Sequence, residues 1–160
     1  MLDDNRIKTL MLASQLEAGL ADLYLRFAEL HPELNKELWL ILIQEEHGHA
    51  EAIRQLYQLT YQGKCRFDEG SIKTDAIQAI IDYVQETIVA TRCGPFSVMR
   101  CVSITHDLEK SLIEKDIFSH FKIVDEYAEV LRVLHNGTLK HIQLAKNTLD
   151  KLKTGNSATS

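Results

Sequence analysis

The sequence predicts an all-α domain, a four-helix bundle made of two antiparallel hairpins joined by a long crossover that contains an extra helix. Three observations predict it. Apolar residues recur at alternating spacings of three and four, the period of one buried helix face. The only two prolines, Pro32 and Pro95, stand where helices should begin, since a missing N–H costs little there. A connection from Tyr61 to Gly94 separates the second long helical pattern from the next one of similar length. Helices are expected at 3–30, 33–60, 74–92, 95–122 and 125–153.

The first pattern runs through Leu10, Ala13, Glu17, Leu20, Tyr24 and Phe27. Glu17 is its one charge. The second runs through Trp39, Leu42, Glu46, His49, Ile53 and Leu56, placing Glu46 and His49 on one face a turn apart. The connection opens with a loop from Gly63 to Ser71 and continues into a helix whose Ala76, Ile80, Tyr83, Val84, Thr87 and Ile88 suit packing on the outside of a bundle. The next pattern is more polar, with Val98, Val102, Thr105, Glu109, Leu112 and Asp116. The last contains Tyr127, Leu131, Leu134, Thr138, His141, Ala145, Thr148 and Leu152. A single domain at 1–153 is expected, with 154–160 a small polar tail expected to be disordered.

Ionisable residues on these rows are costly to bury unless a partner compensates them. Their heights agree. Glu17 and Glu46 lie equally far from the break at His31-Pro32, about 22 Å at 1.5 Å per residue. Glu109 and the Thr138/His141 pair lie about as far from a break near 122–125, so all would meet in one mid-bundle layer. Leu16-Glu17-Ala18-Gly19-Leu20 also matches Leu108-Glu109-Lys110-Ser111-Leu112, a weak internal repeat.

Two readings of this layer stand side by side. One is a site for divalent metal, in which three carboxylates bring a charge of about −3 against +4 for two ions. The other is a buried hydrogen-bonded network without metal, which needs one or more carboxylates protonated. His106, one turn before Glu109, is either an additional ligand or a flank residue bonded to Glu109. His47, His135 and Glu45 fall off the rows and read as surface groups. Asp116 reads as a hydrogen-bonding residue two turns away.

Composition excludes several classes. The chain has 160 residues, 45% hydrophobic and 26% charged, with a net charge of −5 and scattered basic residues. That pattern gives no footprint for nucleic acid or an anionic membrane. Cys65, Cys93 and Cys101 are odd in number and form no C-x-x-C pair, which argues for a reducing compartment and against a thiolate metal site. The N-terminal residues lack a signal-peptide pattern and the longest apolar run, Leu38 to Ile43, is too short to span a bilayer, so a cytoplasmic protein is expected.

Leu16-Glu17 with Tyr24 and Phe27, then His31-Pro32-Glu33-Leu34, then Glu45-Glu46-His47-Gly48-His49-Ala50 resemble the first hairpin of the rubrerythrin family in the ferritin-like superfamily. The resemblance covers residues 5–60 well and 95–152 loosely. It implies a ferritin-like bundle in which Glu17, Glu46, His49, Glu109 and His141 bind two iron or manganese ions. It further implies redox chemistry with peroxide or oxygen, a homodimer, and an external electron donor, since no rubredoxin module is present. The second Glu-x-x-His of the family reads Thr138-Leu139-Lys140-His141 here, so one carboxylate is missing and one ion could be bound weakly or absent. The extra glutamate of peroxide-reducing members falls on Leu112. The alternative function is a metal-free bundle that acts by binding partners; a ferritin-type shell would instead require a large cage.

Overall fold

A computed structural model describes residues 4–67, 73–114, 121–123 and 127–157. Among these the chain is all-α apart from one short ladder, with α1 (Asp4–Leu30), α2 (Leu40–Tyr61), α3 (Thr74–Cys93), α4 (Val98–Glu114) and α5 (Ala128–Ser157). No helix among the described residues is long and apolar enough to cross a membrane.

The first break forms as its residue types require. His31 precedes proline and leaves the helical region, at φ −135° and ψ 67°. Its Nε2 meets the Phe96 carbonyl at 2.8 Å, tying this turn to the start of α4. The expected single helix over 33–60 is not continuous. Pro32–Leu34 forms a 3-10 turn and Asn35–Trp39 a π-helical turn before α2 begins. Leu38 and Trp39, at the end of the π turn, are both buried completely. Trp39 packs on Phe27, with ring centroids 5.5 Å apart, and stacks on Tyr24 at 6.5 Å.

α1 lies against both α2 and α3, α4 pairs with α5, and α5 also meets α2. The core is built from the predicted rows, with Leu10, Ala13, Leu20, Tyr24 and Phe27 of α1 and Leu42, Ile53 and Leu56 of α2 all buried. Burial of each large aliphatic or aromatic side chain stabilises by about 1.5–3 kcal/mol. α3 covers the outside of α1 through Ile77, Ile80, Ile81 and Val84. Gly19 on α1 faces Val84. Of the apolar positions expected on α3, Tyr83 instead points largely into solvent.

Three boundaries differ from expectation. α4 starts at Val98 rather than Pro95, because Ser97 caps it. The Ser97 hydroxyl accepts from Arg100 N–H at 3.2 Å and its carbonyl accepts from Cys101 N–H. The segment Phe121–Ile123, expected to end the fourth helix, is a strand paired antiparallel with Cys65–Phe67. α5 continues to Ser157, past the predicted end at 153 and into the segment expected to be a disordered tail. Asp116 lies outside the described residues.

Candidate metal centre

α1, α2, α4 and α5 each deliver side chains to one buried layer. Glu17, Glu46, His49, Glu109, Thr138 and His141 are all buried. Direct contacts bring these residues together, although the count from the second break assumed helix as far as 122, where Phe121–Ile123 is a strand. His49 Nδ1 lies 3.3 Å from Glu17 Oε2 and 3.2 Å from Glu46 Oε2. His141 Nδ1 lies 2.9 Å from Glu46 Oε1 and 3.3 Å from Glu109 Oε2. The two imidazoles stack at 5.2 Å between centroids. Glu46 therefore gives one oxygen to each imidazole and joins two three-residue groups.

Glu46, His49 and His141 form a buried group that could hold a metal ion, their ligand atoms lying within 4.8 Å of one another. The donor set fits that use. Glu46 Oε1 and His141 Nδ1 are buried and have no hydrogen-bond partner among the described residues. They lie 2.9 Å apart without the alignment of a hydrogen bond, so that, once Nδ1 gives up its proton, two donor atoms would face a shared space. Ligands about 2.1 Å from one octahedral ion lie about 3.0 Å from each other, close to the separations found here. Carboxylate with imidazole suits iron, manganese or zinc.

Electrostatics describe the metal-free cluster. Burial, reinforced by Glu46, pushes Glu17 up to about 8. Burial alone would lower both histidines, but the Glu17 and Glu46 carboxyls beside it carry His49 up to about 10, and the Glu109 and Glu46 carboxyls facing it carry His141 up to about 11. Near neutral pH the raised values keep both imidazoles charged and Glu17 protonated, which limits the negative charge that the buried layer must hold.

Other residues shape the site. Tyr24 donates to Glu109 Oε1 at 2.5 Å, and burial followed by the nearby Glu109 charge holds its phenol well above the ordinary value. Thr138 donates to its own helix at Leu134 O, 3.0 Å away. His106 does not join the cluster as ligand or as a partner of Glu109. It is partly exposed, with Nδ1 3.4 Å from the neighbouring Asp107, because one turn back along α4 its ring leaves the buried row. His47 and His135 are exposed, as expected.

Two participants escaped sequence reasoning. Glu45, expected to be a solvated flank charge, meets His141 Nε2 and Lys140 Nζ, each at 2.5 Å. Gly137 lets His49 approach α5, since a Cβ there would overlap Nε2 and fall 2.8 Å from Cε1. A glycine inside a long helical pattern was the available signal for this second one, because it costs about 1 kcal/mol against alanine. Comparison with protein-family models, curated proteins and solved structures finds no match to this chain.

Proposed function

We propose that this chain is a ferritin-like four-helix bundle of rubrerythrin type, which holds two iron or manganese ions for redox reaction with peroxide or oxygen, in oxidant defence or iron handling. The observation that carries the reading is Glu46, which presents one oxygen to each of two buried imidazole Nδ1 atoms. Glu17, Glu46 and His49 would hold one ion, and Glu46, Glu109 and His141 the other. When bound, such ions exchange electrons with small oxidants through their open coordination positions.

The chain's own residues set the conditions. Glu46 fixes the spacing of the two halves, and the surrounding apolar core keeps the layer dry. Tyr24 holds a proton on its phenol oxygen beside Glu109, orienting that carboxylate. Thr138 supplies no charge, so three carboxylates serve the pair. Electrons come from an external donor, and the bundle works as a homodimer.

Elemental analysis of protein purified without chelator or metal-affinity tag tests this directly. About two iron or manganese per chain is expected. About one would reduce the reading to a single-ion site, and none after reconstitution would overturn it in favour of a metal-free bundle that binds partners.

A further inference from the structure

Glu45 stands one residue from Glu46 and lies off every apolar row, with its side chain 27% exposed. One of its oxygens meets His141 Nε2 and the other meets Lys140 Nζ, both at 2.5 Å. It therefore engages the nitrogen of His141 opposite the cluster, and with that nitrogen held, Nδ1 is the one that faces Glu46 and Glu109. A carboxylate on the far nitrogen of an imidazole fixes ring orientation and tautomer and strengthens the other nitrogen as a donor. The two histidines are unequal in this respect. The ion pairs described for His49 all run through Nδ1, and its opposite edge rests on the bare backbone at Gly137.

We propose that Glu45 is the positioning residue for the His141 half of the centre, and that with Lys140 it makes this half the first and tighter to bind a divalent transition-metal ion. The inference rests on the di-metal reading above. It also reverses what the missing carboxylate at Thr138 would produce by itself. Thr138 shares α5 with His141, so its loss alone would leave the His141 half the weaker one. A carboxylate behind a ligating histidine is worth about 10–100-fold in affinity, enough to offset that loss. Lys140 is 62% exposed and holds Glu45 from the solvent side, so this support is built at the surface and acts on the core.

Cobalt(II) titration of the full chain, followed by visible absorption and calorimetry, tests the assignment. The wild-type chain should bind in two steps. Glu45→Ala should weaken the tighter step about 10–100-fold and leave the looser step in place, while Glu17→Gln should weaken the looser step only. Lys140→Met, at an exposed position, should weaken the tighter step by a smaller factor. In zinc-loaded protein, NMR should show a slowly exchanging His141 Nε2–H that Glu45→Ala abolishes and that a merely structural role would not move. If the wild-type chain takes up no cobalt, the di-metal reading itself fails. If it binds cobalt but Glu45→Ala and Lys140→Met leave the tighter step unchanged, only the Glu45 assignment fails. Should Glu45→Ala not fold, Lys140→Met and Glu45→Gln decide the matter by the same criterion. Loss of the tighter step in Glu17→Gln would reverse the order and overturn the proposal.

Discussion

The α1–α2 pair and the α4–α5 pair each bring a carboxylate and an imidazole to the same layer, but they depend on each other unequally. Glu17, Glu46 and His49 come from α1 and α2 alone. Glu109 and His141 come from α4 and α5, yet the groups that orient them belong to the first pair. Tyr24 of α1 bonds Glu109, Glu46 of α2 meets His141 Nδ1, and Glu45 of α2 meets His141 Nε2. What the second pair supplies in return is space, the Cβ-free backbone of Gly137 beneath His49. A helical pair that carries a hydroxyl at Thr138 can thus still present its histidine accurately when its neighbour meets both ring nitrogens.

The sharpest way to break this comparison is to remove the residue both halves share. Glu46→Ala should abolish metal uptake in both halves, read as metal per chain, and should destabilise the metal-free chain by about 3–5 kcal/mol because two buried imidazolium ions lose a partner. Elevated melting temperature with unchanged metal content would refute the shared-ligand role. Gly137→Ala comes next. Alanine is the better helix former by about 1 kcal/mol, yet the added methyl must displace the His49 ring. A net loss of about 1–3 kcal/mol in urea unfolding is expected, with weakened binding confined to the His49 half.

A third test uses pH. In the metal-free chain His49 and His141 have raised values, about 10 and 11 against an ordinary 6.5. Their contribution to stability is complete below about 6.5 and is lost as pH rises through the folded values. Glu17, raised from 4.5 to about 8, acts in the same direction over its own interval. The metal-free melting temperature should therefore fall steadily between about pH 6.5 and 10. Metal uptake displaces protons from these groups, so the loaded protein should gain affinity over the same range. Parallel falls in both forms would refute the assignment of these residues as ligands. The smallest effect is expected at His106, where replacement by alanine should leave metal content unchanged and alter stability by less than about 0.5 kcal/mol.

The parts of this architecture that were legible in the sequence depend on one-dimensional regularities. Helix faces follow from spacing, and the common height of Glu17 and Glu46 follows from counting residues to the break at His31-Pro32, whereas the matching count for Glu109 and His141 assumed helix where Phe121–Ile123 is a strand. Glu45 could not be read that way. Whether a residue one step off a row reaches solvent or the next helix depends on how α2 is rotated against α5, which spacing within either helix does not encode. The same limit explains His106, which has suitable chemistry but lies on the wrong side of α4. Local boundaries were missed for a different reason: Ser97 outcompetes Pro95 as a helix start, and the strand at Phe121–Ile123 exists through pairing with Cys65–Phe67, a partner far away in sequence.

The π turn has an optical consequence. Trp39 is the only tryptophan in the chain, and the widened turn seats it in a fully buried position with no hydrogen-bond partner for its indole N–H among the described residues. An indole so placed emits toward the blue. It stacks on Tyr24, whose hydroxyl bonds Glu109, so two contacts connect the fluorophore to the carboxylate layer. Intrinsic emission therefore gives a label-free readout of whether that layer is filled or rearranged.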